Sequence, residues 1–224
     1  CASVALAAQN RHADRKLGIL CDHRLGQDAL DRLTGSGLWI GTPIELPGSR
    51  PLAFEGGESL ATTLRKWPRT HCVKCLCFMH PDDPAQMWSA QAAKLSELYA
   101  VTRAEGLELL LEVIPPKGSA VAADTVTRAM AQIYALGITP DWWKLPAPND
   151  QDWDESWQSW QSLIATHDPH CRGVLLLGLD APMETVKASV TRAAAQKLCK
   201  GFAVGRTIFG ASARAWFAGE IDDA

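Results

Sequence analysis

Basic charge is not in excess in this 224-residue chain: 22 Lys and Arg stand against 25 Asp and Glu, a formal net charge of −3. That balance offers no positive footprint for a phosphate backbone, so nucleic acid is not an expected partner. Long hydrophobic runs are absent too. No stretch approaches the roughly 18 uninterrupted apolar residues of a membrane span, and CASVALAAQN at the start lacks the basic leader and cleavage pattern of a secretory signal. A cytoplasmic protein with no membrane partner is expected. The first strand-like run, GILCDHRLGQDAL, carries no G-x-G-x-x-G. No P-loop, no Ser-His-Asp order and no His/carboxylate set at metal spacing occurs elsewhere. Internal repeats and low-complexity tracts are missing as well.

Cysteine is present, but as an odd count of seven: Cys1, Cys21, Cys72, Cys75, Cys77, Cys171 and Cys199. A chain of this size needs no staples, so reduced thiols and no disulfide are expected. The cluster at 72, 75 and 77 invites a metal reading. It sits in HCVKCLCFM, which reads as a buried strand with 75 and 77 on one side and 72 on the other, and no second pair stands at zinc spacing.

What is there is a βα rhythm. Short runs rich in Val, Ile, Leu and Trp alternate with longer Ala-rich stretches, the pattern of a parallel sheet with helices outside. Seven strands are predicted, at 17–22, within 37–46, and at 71–78, 107–114, 141–145, 172–179 and 201–206. Helices are predicted over 1–12, 26–34, 57–66, 84–105, 121–136, 150–166, 182–197 and 209–218. In 84–105 the proline and acidic start signals and the stop at Gly106 frame an inner face of Leu95, Leu98, Tyr99 and Val101. Trp153, Trp157 and Trp160 recur at helical spacing and are expected to bury against the sheet.

Seven strands after an opening helix are one short of the eight-stranded (β/α)8 barrel, so the expected fold is an α/β TIM barrel filling residues 1–224 as one domain and lacking its first strand. An open sheet with helices on both faces is the alternative, and it would normally carry a Gly-rich phosphate fingerprint after its first strand. The chain starts with Cys rather than Met and stops at AWFAGEIDDA with no further closing helix. Truncation at both ends is the expectation.

Barrels keep their catalysts at the C-terminal ends of their strands. Asp22 ends GILCD, Lys74 interrupts VKCL, Glu112 interrupts LLLEVI and Lys144 interrupts WWKLP. Charged side chains in apolar strands are costly unless paired or lining a wet cavity, and period-two alternation turns Lys74 and Glu112 to the inner face. The fitting chemistry is Schiff-base aldol cleavage. Lys144 as a neutral amine adds to a ketone, Lys74 nearby helps keep it deprotonated, and Glu112, its pKa raised by burial, serves as acid/base. A structural ion-pair network built from the same three residues is the alternative. Gly178 and Gly205, at the ends of the last two strands, allow close backbone approach to a phosphate that Arg206 would fork. Arg24, beside Asp22, and Arg50, in the loop after the second strand, are each candidates to clamp a substrate anion or to stay solvated. His80 is expected to shape a strand-to-helix turn.

The segments ELPGSRPLAFEGG, HPDD, LLLEVIPPK, PDWWKLPAP, RGVLLLGLDAP and KGFAVGRTIFG resemble the C-terminal, DUF2090-type aldolase-like domain of the bacterial 5-dehydro-2-deoxygluconokinase proteins of inositol catabolism. That domain is similar in turn to the class I tagatose-bisphosphate and sulfosugar-phosphate aldolases. The resemblance implies a Schiff-base lysine at Lys144, a lysine and a glutamate at Lys74 and Glu112, and phosphate loops holding Gly178, Gly205 and Arg206. It further implies cleavage of 2-deoxy-5-keto-gluconate 6-phosphate to dihydroxyacetone phosphate and malonate semialdehyde, with no cofactor and no metal, beside a sugar-kinase domain. The sequence departs from that pattern where relatives carry Lys-Leu-Glu-Pro and this chain has Lys144-Leu145-Pro146. An aldolase for another phosphorylated ketose shares the mechanism. A different class of reading is a non-catalytic module kept for homo-oligomerisation or for channelling to an attached kinase.

Overall fold

Each strand of this protein is followed by a helix, and the strands lie side by side in chain order. The computed structural model describes residues 2–222. After α1 (Ala2–Arg11) come β1 (Gly18–Leu20), α2 (His23–Leu33), β2 (Trp39–Pro43), α3 (Leu60–Arg65), β3 (His71–Phe78), α4 (Ala85–Ala104) and β4 (Glu108–Ile114). Then follow α5 (Thr125–Ala135), β5 (Trp142–Pro146), α6 (Trp153–His167), β6 (Gly173–Leu177), α7 (Met183–Ala193), β7 (Cys199–Ala203) and α8 (Arg206–Phe217). All neighbours pair in parallel, in the order β1 to β7. A doubly wound sheet would reverse its strand order once. This one never does, and the seven strands curl into a nearly closed α/β barrel whose edges are β1 and β7. Cys1 lies outside the described residues. No helix among those described is long and apolar enough to cross a membrane.

Alternation along the strands sorts the side chains into two populations. Outward-facing Val73, Cys75, Cys77, Leu109, Leu111, Val113, Trp143, Leu145, Val174 and Leu176 pack under the helices with Leu95, Leu98, Met130, Ile133 and the indoles of α6. Cys75 and Cys77 are therefore packing groups, and burial pushes the Cys77 thiol up to about 12. Trp153, Trp157 and Trp160 are buried as their spacing implied. Each removes about 200 Å² from water, on the order of 4–5 kcal/mol of transfer free energy as an upper bound. Trp143 donates its indole N–H to the Tyr134 hydroxyl at 2.8 Å, so that buried polar pair is satisfied.

Local signals set the helix ends. Asp22 caps α2, one carboxylate oxygen accepting from the Leu25 N–H at 2.7 Å, and Ser59 caps α3 through the Thr62 N–H. Gly106, at φ 64°, ends α4 in the left-handed region that glycine tolerates best. Inside α4, buried Gln91 joins Leu95 and Leu98, its amide bridging the Leu52 N–H and the Phe78 carbonyl.

Inward-facing residues fill the barrel in layers. At the bottom the Trp39 ring from β2 meets Trp142 from β5 at 6.2 Å, and the Trp142 N–H donates to Glu108 of β4 at 2.9 Å. Gly41 makes room for that indole, since a Cβ there would sit 3.0 Å from the Trp39 ring and 2.5 Å from Leu20. One pleat above Trp142, on the same face of β5, stands Lys144.

Candidate active site

Strand register brings four ionisable groups together above the indole floor. Glu112 is level with Lys144 on the neighbouring strand, and Lys74 lies one pleat below Leu76, the residue level with Glu112 on the other side. The Glu112 carboxylate thus lies between two lysines: its Oε1 is 3.0 Å from the Lys144 Nζ and its Oε2 is 2.8 Å from the Lys74 Nζ. Lys74 also donates to Glu45 Oε1 at 2.5 Å. All four residues are only 5–8% exposed. Glu45 follows β2 in the same phase as the inward Gly41 and Pro43, and its bridge to Phe54 holds the chain there.

Burial and charge compete here, with a different winner at each group. Burial would push the Lys74 ammonium down, but contact with Glu112 and Glu45 outweighs it and holds that lysine above its ordinary range. At Lys144 burial wins: one carboxylate partner offsets it incompletely, the Lys74 charge adds to it, and the amine sits below the ordinary lysine value. Glu112 corrects the sequence expectation. Burial alone would raise its carboxyl, as expected, but the ammoniums of Lys74 and Lys144 outweigh burial and keep it below the carboxylate norm. It is an ionised base, and the acid form is the costly one.

A cavity of about 390 Å³ opens over the cluster. Lys74, Lys144 and Glu45 form its base, while Asp22, Arg24 and Glu55 stand around it. Glu45 presents a second carboxylate oxygen, buried and without a hydrogen-bond partner among the described residues. A buried acceptor left empty is costly unless something fills it.

Lys74, Glu112 and Lys144 converge as the alternation implied. Asp22 reaches the cavity wall, though one of its oxygens is spent on the cap. The two arginines part company. Arg24 lines the cavity and forms no ion pair among the described residues, whereas Arg50 is turned away, paired with Asp83 and 3.4 Å from the Phe78 carbonyl. Gly178, Gly205 and Arg206 gather at the ends of β6 and β7 but do not line this cavity. There Arg206 lies 3.9 Å from Asp180, Thr207 donates to the Ala181 carbonyl, and Leu179 and Asp180 hold left-handed φ values of 48° and 63°. Non-glycine residues in that region cost on the order of 1 kcal/mol or more each. His80 shapes the turn after β3: Nδ1 accepts from the Asp82 N–H and Nε2 donates to the Ala120 carbonyl.

Glu45 escaped the sequence reading. Its signal was phase alone, an acid two residues beyond the inward Pro43 in TPIEL. Its flanks, Ile44 before and Leu46 and Pro47 after, do not tell a buried acid from one in a turn. The carboxylate at Lys144 comes from β4, and Pro146 ends β5 level with Leu177.

The family described as "Uncharacterized protein conserved in bacteria (DUF2090)" matches residues 1–224. No curated protein matches the chain in sequence. Among solved structures, the Cgl0159 protein of Corynebacterium glutamicum superposes with a TM-score of 0.61 at 18% identity, over 88% of this chain and 65% of that one. The chain therefore spans just under two thirds of that protein. An archaeal fructose 1,6-bisphosphate aldolase gives a TM-score of 0.61 at 15% identity, covering 92% of this chain and 76% of its own. The fructose-bisphosphate aldolase of Slackia heliotrinireducens gives 0.54 at 13% identity, covering 88% and 72%. Likeness at this identity is a likeness of fold.

Proposed function

The chain belongs to the DUF2090 family, and we propose that it is a class I, Schiff-base carbon–carbon lyase acting on a phosphorylated keto-sugar acid. The observation that carries this reading is Lys144. It is a buried lysine whose ammonium is disfavoured, at the base of a cavity, touching a carboxylate that a second, firmly charged lysine keeps ionised. Such an amine gives up its proton more readily than an exposed lysine, and the lone pair so freed is what attack on a ketone requires.

Each group then has a task. Lys144 adds to the substrate ketone, and loss of water leaves an iminium. The carbon–carbon bond breaks as its electron pair flows into that iminium, while a base takes the proton of the hydroxyl that becomes the aldehyde. We assign that proton to the Glu45 oxygen that has no hydrogen-bond partner among the described residues. The enamine left by cleavage takes back on carbon the proton removed from the hydroxyl. Glu112, touching both amines, manages the protons of imine formation and of the hydrolysis that frees Lys144. Lys74 stays cationic and holds both carboxylates in place. Arg24, uncommitted at the cavity wall, suits an anionic end of the substrate.

For the substrate we propose 2-deoxy-5-keto-gluconate 6-phosphate, cleaved to dihydroxyacetone phosphate and malonate semialdehyde, in a parent protein that also carries a sugar kinase. The long segments that resemble the kinase-linked aldolase-like domains support that choice. The same resemblance assigns the phosphate to Gly178, Gly205 and Arg206, which stand outside the cavity wall at the ends of β6 and β7. The test is to incubate the protein with dihydroxyacetone phosphate, reduce with borohydride, and locate any adduct by mass spectrometry. One adduct on Lys144, lost in Lys144→Ala, is expected. Its absence at saturating ligand would leave the buried charges as an ion network inside a non-catalytic module.

A further inference from the structure

A second cavity, of about 470 Å³, lies between α2 and the segment that runs from α3 into β3. One face of α2 forms its long wall. His23, Gln27, Asp31 and the C-cap Thr34 recur there at helical spacing, over about 16 Å of helix. Across from them stand Trp67, whose ring meets that of His23 at 4.8 Å, and His71 at the start of β3. His71 is 2% exposed.

Each histidine has one ring nitrogen that is buried and without a hydrogen-bond partner among the described residues, Nδ1 of His71 and Nε2 of His23. The other nitrogens decide what these two are. The Thr34 hydroxyl gives its hydrogen to the Leu30 carbonyl at 2.7 Å, so at 2.9 Å it accepts from the His71 Nε2–H. Nδ1 of the neutral ring is then a bare lone pair. Burial, reinforced by His23, holds the His71 pKa below its ordinary value and keeps that ring neutral. Gln27 donates its amide N–H to Asp31 at 2.7 Å, which turns its oxygen to His23 Nδ1 at 3.1 Å. That nitrogen carries the hydrogen, and Nε2 of the neutral ring is a second lone pair. His71 sits at the Thr34 end of α2 and His23 opens the helix, so the two acceptors take opposite ends of the groove.

Buried acceptors without donors are costly, so the groove calls for a ligand with a donor at each end. Two carboxylates line it, Asp31 and Glu58, against one ammonium, Lys66, which Glu58 already holds at 2.6 Å. That balance favours a cation. Leu30, Trp67 and Pro68 offer apolar surface to its hydrocarbon part. A metal ion is not served, because no three His, Cys, Asp or Glu side chains among the described residues gather to hold one. We propose that this groove binds a linear aliphatic diamine, with one ammonium donating to His71, the other to His23, and the methylenes lying along Leu30 and Trp67. No residue of the ion cluster takes part, so the proposal stands apart from the lyase reading.

Two-bond proton–nitrogen NMR of the histidine rings, on the full chain in mildly alkaline buffer, tests it. Without ligand, His71 should carry its hydrogen on Nε2 and His23 on Nδ1. Cadaverine or spermidine should shift the His71 Nδ1 and His23 Nε2 resonances together and to saturation. Butylamine, with a donor at one end only, should bind at least about tenfold more weakly. His23→Phe keeps a ring against Trp67 and removes the acceptor, so the diamine should lose at least about tenfold in affinity there as well. Opposite tautomers, resonances that stay put at millimolar diamine, butylamine binding as tightly as the diamines, or a His23→Phe protein with undiminished affinity would each overturn the proposal.

Discussion

Lys74→Met keeps most of the side-chain stem and removes the one ammonium that touches two carboxylates. Those contacts are 2.5 Å to Glu45 and 2.8 Å to Glu112. Unit charges at such range attract by more than about 4 kcal/mol at an effective dielectric of 20, but burying each ion costs several kcal/mol, so most of the gross figure cancels. What remains is the charge left behind. Glu112 keeps Lys144, whereas Glu45 has no other partner, so the variant buries one uncompensated carboxylate and should lose about 3–5 kcal/mol. At ~2–4 °C per kcal/mol for a chain of this size, Tm should fall by roughly 6–20 °C. Adding Glu45→Gln to Lys74→Met should recover at least about 1 kcal/mol, because the orphan charge goes with it. Lys144 also loses a repulsive neighbour, so its ammonium becomes harder to deprotonate. Borohydride trapping should weaken near neutral pH and return as the buffer is made more alkaline. Urea unfolding of the single and double variants gives the energies. A Lys74→Met protein as stable as its parent, or a double variant less stable than the single one, would refute the charge accounting.

Two further outcomes follow from the same contacts. Because the folded Glu112 carboxyl lies below its ordinary 4.5, its contribution to stability is present above that value and lost as pH falls through the lower folded one. Glu112→Gln should flatten the acid limb of the urea midpoint against pH, and an unchanged slope would count against the two-lysine contact. Tyr134→Phe strands the Trp143 indole N–H in the outer core. A loss of about 1–3 kcal/mol is expected by thermal or urea unfolding, and a neutral result would mean that the donor finds another acceptor.

Much of this architecture was legible in the letters. HCVKCLCF and LELLLEVI are mostly apolar because their outward faces pack under the helices and much of their inward faces fills the barrel, and runs of that kind mark themselves. Lys74, Glu112 and Lys144 were visible for the converse reason, as charges in places that exclude charge. Glu45 was not, although it fell within the predicted strand 37–46: the sheet ends at Pro43, and one acid beside a Pro-Gly turn does not tell a buried carboxylate from a loop charge. Arg24 and Arg50 were indistinguishable in sequence: each follows a strand, and only the fold shows that Asp83 holds one of them. The direction of the Glu112 shift depends on two cations at contact distance, and no spacing rule conveys contact distance.

The indole pair of Trp39 and Trp142 turns the barrel into a blind alley. With that stopper beneath Lys144, the amine is reached from the cavity above it, and in a lyase here the covalent imine would set which fragment leaves first.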